Sequence, residues 1–439
     1  MSATVAIIGT CDTKLEELTF LAHEIAAFGN VNTCLIDVGR RTSPPSEEEG
    51  IDVRASDMMS QYRPGLDISE LSSRGDFVEA MGKCAAEAVR DMYARGEIDA
   101  IVSAGGSGGT WLSSLVMRRL PIGVPKLIVS TVASGDTGPI VGESDMALMY
   151  SVVDIAGLNH LLRAILSNAA ASIAGAALSH ARRRRGQASP QPPPPPPPRG
   201  TVAEAAKKRV ALTMFGVTTP GVDVVRKTLE SRYPVETYVF HATGHGGRAM
   251  ERLVASGDLD AVIDLTTTEI CDHIMGGVMS AGPGRLDAAV EAGIPTIVST
   301  GALDMANFGA KESVPERYRH RTQVEHNPVV TLVRSSPRDC RDIGRFICDK
   351  LRKAARPDRI QVWLPLGGAS MLSVPGGPFH DADSDAALYE SIMEGLEGTD
   401  ISIVQDEGCI NDRDFAVKIA EAMAKLMGLQ ESGQVIKTQ

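Results

Sequence analysis

The seven cysteines, Cys11, Cys34, Cys84, Cys271, Cys340, Cys348 and Cys409, include no CxxC pair. Their odd number and scatter exclude a disulfide framework or a structural zinc site as the organising device, and fit reduced thiols. No basic segment precedes the first apolar run, MSATVAIIGT, so no secretory signal is expected. No apolar run reaches the length of a membrane span, and AAASIAGAAL near residue 170 reads as part of a packed helix. A cytoplasmic protein with no membrane partner is the expectation. Positive charge is in deficit, with a net charge of −11, which argues against general gripping of DNA or RNA while leaving room for one local basic pocket. A last absence concerns the glycine-rich stretch SAGGSGGT, residues 103–110. It has no lysine before its threonine, so it is not a Walker A loop.

What is present fits an α/β protein. The 439 residues exceed what one hydrophobic core usually serves, and two domains are expected. RRRRGQASPQPPPPPPPRG, residues 182–200, cannot form a packed core. Its seven consecutive prolines favour polyproline II and read as a solvated spacer, with docking to a proline-binding module as the alternative. The expected organisation is a first domain over 1–181, an Arg/Pro-rich linker over 182–208 and a second domain over 209–439. Within the first, TVAIIGT, VNTCLIDVG, DAIVSAGG and PKLIVSTV read as strands, alternating with amphipathic helices such as LEELTFLAHEIAAFG. That alternation predicts a mostly parallel sheet covered on both faces. The second half repeats the grammar: GEIDAIVSAGG (96–106) matches GDLDAVIDLTT (257–267), and GVPKLIVSTVASGD (123–136) matches GIPTIVSTGALDM (293–305). Two related Rossmann-like domains with mostly parallel sheets are therefore expected.

Ligands of such sheets bind at the carboxyl ends of the strands. Three strand ends in the first half carry suitable chemistry. SAGGSGGT supplies Gly105, Gly106, Gly108 and Gly109, whose backbone can take positive φ and approach an anion closely, with Ser107 adding a hydroxyl and Thr110 capping the next helix. GTCDTK supplies Thr10, Asp12, Thr13 and Lys14; the lysine opens a helix, where its charge opposes the dipole, which is best explained by an anionic ligand. STVASGDTG supplies Ser134, Gly135, Thr137 and Asp136, the last a candidate magnesium ligand. Asp37 ends the second strand, where Rossmann-like proteins often hold a ribose hydroxyl. Cys11 reads as a buried small residue, with a helix N-terminal nucleophile as the alternative.

GTCDTK, AGGSGGT and STVASGDT, in this order, resemble the ATP-binding family related to the N-terminal region of the tomato mosaic virus resistance protein. FGVTTPGVD, FHATGHGGRAMERL, DLTTTEICDHIMGG, GPGRLDAA and LPLGGASMLSVPGGPF resemble its later motifs, so the likeness spans nearly the whole chain outside the linker. The resemblance implies an ATP-binding first domain, a second α/β domain and a homodimer, and it implies no particular reaction. The plant protein carries a further barrel domain before which this chain ends, and its connection between the halves is short, so antiviral activity is not expected here.

The second half is rich in polar groups at strand ends. FHATGHGG places His241 and His245 four apart, ahead of Arg248; DLTTTEICDH contributes Asp264, Glu269, Asp272 and His273; STGALDMANFG contributes Asp304 and Asn307. Three readings stand: a divalent metal site using His241, His245 or His273 with a carboxylate; a small-anion site at GHGGR with Arg248 or Arg285; or capping and turn chemistry. HATGH does not lie on one helix face as HExxH does. GGASMLSVPGGPF reads as a flexible lid over that cleft. Three functions follow: an ATP-binding protein with a second anionic metabolite, a metal-assisted hydrolase or lyase at the second-half histidines, or an interaction protein stabilised by ATP.

Overall fold

The structure is a computed structural model that describes residues 2–40, 50–64, 74–186 and 207–431. The chain divides into two compact units between residues 196 and 197, within the expected linker. The proline tract at 192–198 lies outside the described residues, and with it the spacer and docking readings.

In the first unit the elements run β1 (Ala3–Gly9), α1 (Cys11–Ala26), β2 (Val31–Asp37), α2 (Ala55–Tyr62), α3 (Arg74–Ala94), β3 (Ala100–Gly105), α4 (Ser107–Met117), β4 (Lys126–Ser130), α5 (Gly138–Val141), β5 (Ala147–Tyr150) and α6 (His160–Arg184). The five strands are parallel in the order β2-β1-β3-β4-β5. Because side chains alternate across a strand, β1 sends Val5 and Ile7 to one core with α1 and α6, and Ala6 and Ile8 to the other with α2, α3 and α4. All six residues of β3 are buried, as expected of a central strand covered on both faces.

The helix α6 is the packed helix expected near residue 170, longer than expected at both its apolar run and its C-terminus. It is 25 residues long and, by length and composition alone, apolar enough to cross a membrane. Leu162, Leu166, Ala170, Ile173 and Ala177 are instead buried against β1 and α1, so this face is core. The small residues let the helix lie close to the sheet. It also runs past the expected boundary at 181: Arg184 donates to the carbonyls of Tyr93 (2.7 Å) and Ile98, and Arg185 to that of Ser2 (3.1 Å). Cations at a helix C-terminus are favourable, so part of the RRRR run belongs to the folded unit.

The second unit contains β6 (Lys208–Met214), α7 (Thr219–Arg232), β7 (Val235–His241), α8 (His245–Ala255), β8 (Ala261–Thr266), α9 (Thr268–Met275), α10 (Asp287–Ala292), β9 (Thr296–Gly301), β10 (Met305–Phe308), β11 (Gln323–Asn327), β12 (Val330–Arg334), α11 (Pro337–Leu351), β13 (Ile360–Pro365), α12 (Ala382–Gly395), β14 (Ser402–Asp406) and α13 (Arg413–Leu426). Its parallel sheet has the order β14-β13-β9-β8-β6-β7. Numbered within its own unit, that is 2-1-3-4-5-6, so both units share the 2-1-3-4-5 order and the repeat read from the sequence is a repeat of topology. β10, β12 and β11 form a separate antiparallel sheet inserted after β9, which the strand grammar did not foresee.

Candidate functional site

In a 2-1-3-4-5 sheet the chain leaves β1 toward one side and β3 toward the other, opening a crevice between their carboxyl ends. In the first unit a cavity of about 470 Å³ occupies that place. Thr10, Asp12, Thr13 and Lys14 line it from β1, and Gly105, Gly106, Ser107, Gly108 and Gly109 from β3. Two sequence-distant stretches expected to share a ligand are thus brought together.

The local geometry explains how. Thr10 is the N-cap of α1, and its carbonyl accepts the N–H groups of Thr13 (3.1 Å) and Lys14 (2.9 Å). Lys14 then leaves helical geometry, with φ −133° and ψ 16°, so α1 is kinked at the lysine. At β3, Gly106 is extended and caps α4, whose first turn is Ser107, Gly108 and Gly109. The N–H groups of a helix's first turn have no intrahelical acceptor, which makes such a turn a ready anion site. None of these four glycines takes a positive φ, contrary to expectation. Gly105 serves close approach, since a Cβ on it would lie 3.2 Å from Gly109 Cα, whereas a Cβ on Gly109 would meet nothing within 4 Å.

Several expected site residues are structural. Thr110 does not cap α4 but sits in it, fully buried, its hydroxyl 2.7 Å from that of Ser130 on β4. Asp37 Oδ1 accepts the N–H groups of Cys11 (2.9 Å) and Gly39 (2.8 Å), so this carboxylate ties β2 to α1. Cys11 is buried, and burial, then Asp37, push its thiol well above its ordinary range, in keeping with the reading of a buried small residue. Ser134, Gly135, Asp136 and Thr137 are not on the cavity lining, and Asp136 Oδ1 accepts the N–H of Gly138 (3.0 Å).

The remaining wall comes from residues that no sequence motif marks: Arg40, Phe77, Val78, Leu112 and Asp154. Asp154 is carried by a strap that follows β5. Val152 there has φ 63°, a costly conformation for a β-branched residue, held by the Val153 N–H on the Ser151 carbonyl (2.6 Å) and the Ser151 hydroxyl on the Val153 carbonyl (2.6 Å). Farther along, the Gly157 N–H donates to the buried carboxylate of Glu17 on α1 (2.7 Å). No short-range pattern marks Asp154, since its place depends on where β5 ends.

At the equivalent strand ends of the second unit, the polar groups meet one another. Thr218, after β6, and Thr266, at the end of β8, are fully buried with their hydroxyls 2.8 Å apart. Behind them lies Arg285, itself fully buried. It makes a two-pronged contact with Asp264 (2.7 and 2.8 Å), and further contacts with Glu269 (2.7 Å) and Glu251 (3.1 Å). Glu269 Oε1 in turn accepts the N–H groups of Gly244 (2.6 Å) and Gly247 (3.0 Å) at the start of α8. The place an anion would take at GHGGR is therefore held by the protein's own carboxylate, and Arg285 is not available to a ligand.

The other second-half candidates disperse. His241 stacks on Phe215, His273 packs against Phe346, and His245 Nδ1 lies 3.0 Å from one Arg248 guanidinium nitrogen while the other donates to the Ser280 carbonyl (3.1 Å). Among the described residues no three His, Cys, Asp or Glu side chains converge as metal ligands, which leaves the metal-site reading without geometry. Asp304 is buried, accepts the Ser370 hydroxyl (2.8 Å) and is pushed up to about 6 by burial. GGASMLSVPGGPF is not a free lid: Ser370, Ser373 and Phe379 are buried, and the Met371 N–H donates to the Val217 carbonyl (3.1 Å).

Buried acids give a pH prediction. Asp272, which accepts the backbone and amide N–H groups of Asn307 (2.9 and 2.6 Å), is raised to about 7, chiefly by burial. The native state then holds a proton that the unfolded chain releases near pH 4, so its contribution to stability falls as pH rises from about 4 to about 7 and levels off above. Asp272→Asn, with the Asn307 amide turned over, is expected to flatten that slope; urea midpoints measured across this pH range check it.

Comparison with known proteins follows the same two-part division. Residues 3–182 match the N-terminal domain, and residues 207–427 the C-terminal domain, of the family described as "Uncharacterised protein family (UPF0261)". A UPF0261 protein of Clostridium tetani is 39% identical over 97% of this chain and 100% of its own length. One from Mesorhizobium japonicum is 43% identical over 95% and 97%. The ToMV resistance protein Tm-1(GCR237) of Solanum lycopersicum is 36% identical over 97% of this chain but only 56% of the tomato protein. Among solved structures, a crystal structure of UDP-N-acetylglucosamine 2-epimerase is 13% identical over 68% of this chain and 79% of its own, with a TM-score of 0.25. With both of its domains matched in order and relatives aligned end to end, the chain belongs to the UPF0261 family.

Proposed function

We propose that the first unit binds ATP, with its phosphates on the first turn of α4 and beside Lys14. The observation that carries this is the cavity at the β1/β3 crevice, lined by Thr10, Thr13 and Lys14 on one side and Gly105 to Gly109 on the other. A helix N-terminus, flexible hydroxyls and a cation converging in one pocket suit a phosphate chain. ATP as the nucleotide comes from the family resemblance.

A magnesium ion carried by the phosphates would need one or two carboxylates. Asp136 does not fit, being off the lining, whereas Asp154 lies on it and has the right oxygen donors. When bound, the ion would offset phosphate charge; Asp154 would orient it and Lys14 would face the anion. A homodimer belongs to this reading through the resemblance, and a cytoplasmic location through seven scattered cysteines with no CxxC pair. For the second unit the buried polar network favours a structural role. Calorimetric titration of the full chain with ATP tests the reading: saturable binding at one site per chain is expected, and no heat from a folded protein rejects it.

A further inference from the structure

The cavity at the β1/β3 crevice has two unlike walls. One is polar, made by the β1 turn and the glycine turn. The other is apolar, made by Phe77 and Val78 in the first turn of α3 and by Leu112 on α4. Arg40 adjoins it, with its guanidinium carbon 5.9 Å from the centre of the Phe77 ring. A volume of about 470 Å³ far exceeds what a phosphate group needs and falls in the range of pockets that enclose whole organic ligands. Phe77 and Leu112 are largely buried and Val78 is half-buried, so this wall presents a dry, apolar edge to the cavity that a ligand using only the polar wall would leave uncovered.

Resting on the nucleotide reading above, we propose that the apolar wall is a nucleoside subsite. The aromatic base packs against Phe77, Val78 and Leu112 with the Arg40 guanidinium beside it, while the phosphates lie on the glycine turn. Base faces are apolar and polarisable, and they pack on aromatic rings and guanidinium planes with little regard to base identity. The site therefore selects nucleoside polyphosphates over polyphosphates of similar charge, a discrimination that Lys14 and the glycine turn alone cannot make.

Competitive calorimetry with ATP and with inorganic tripolyphosphate tests this on the full chain. The wild type is expected to bind ATP at least roughly tenfold more tightly than tripolyphosphate, the range a stacked base supplies. Phe77 belongs to the core and half-buried Val78 packs against it, so Phe77→Leu and Val78→Asn are each first checked for a folded first unit by their urea midpoints. Both variants are expected to lose ATP affinity roughly fivefold or more with tripolyphosphate unchanged. Equal affinity of the wild type for both ligands, or equal losses for both in the variants, would overturn the subsite while leaving the phosphate reading standing. Wild-type protein that binds neither ligand would overturn both.

Discussion

Arg285→Met is expected to unfold the second unit, or to cost it at least about 3–5 kcal/mol, the range measured when one partner of a buried ion pair is removed. Arg285 is fully buried and its guanidinium is the shared partner of Asp264, Glu269 and Glu251. Removing it leaves three carboxylates together in a dry interior. The damage spreads, because Glu269 holds the start of α8 and Glu251 accepts the N–H groups of Leu286 (2.6 Å) and Ala288 (2.8 Å) at the start of α10. Whole domains are stable by only about 5–15 kcal/mol, so the loss is large. Each unit carries one tryptophan, Trp111 half-exposed in the first and Trp363 buried in the second, so Trp363 fluorescence in a Trp111→Phe background follows the second unit. Adding Asp264→Asn and Glu269→Gln to Arg285→Met should restore part of the stability, which a packing defect alone would not allow. An unchanged denaturation midpoint for the single variant contradicts this account of the second crevice.

Lys14→Ala is expected to lower ATP affinity by roughly one to two orders of magnitude, since hydrogen bonds to charged groups contribute about 1.5–3 kcal/mol. Lys14 sits in the kink of α1 and lines the cavity, so its loss removes charge from the pocket without removing a core side chain. Gly106→Val is expected to reduce affinity at least as much by a different route. A Cβ at Gly106 finds only the Thr131 hydroxyl, at 3.8 Å, so the fold tolerates it while the branched side chain crowds the lining. Gly105 is a poorer probe, because a Cβ there already meets the α4 backbone. Binding of the wild type should weaken with ionic strength, and that of Lys14→Ala less so. Calorimetry at two salt concentrations checks both; wild-type affinity in both variants would remove the site.

Much of the fold was legible because it is written in local pattern. The apolar runs of β3, β8 and β9 are buried on both faces, and the repeated order of such runs foretold two related halves. GTCDTK and AGGSGGT were legible as a pair because a known topology places those strand ends side by side. The third wall was misjudged although PKLIVSTV reads correctly as β4, because a strand's place in the sheet does not follow from local pattern. STVASGDTG follows β4, one strand too far from the crevice, whereas Asp154 returns to it on a strap shaped by Val152 and Glu17. In the second unit, histidines and acids crowd the strand ends in sequence, but burial decides their roles. Whether Glu269 faces a ligand or Arg285 depends on a residue 16 positions away, beyond the reach of spacing. In the antiparallel insert PVVTLVRSS reads as a strand, but its pairing was not foreseen, because β10 is only four residues long and the exposed QVEHN resembles a loop.

The most direct measurement is a crystal structure of the full chain soaked with ATP and magnesium. The account predicts a triphosphate whose oxygens lie within hydrogen-bonding distance of the Ser107, Gly108 and Gly109 N–H groups and of Lys14 Nζ, with Thr218 and Thr266 still meeting in the second unit. Triphosphate density at the start of α8 beside His245, or well-ordered crystals with the β1/β3 cavity holding water alone at saturating ATP, would contradict it.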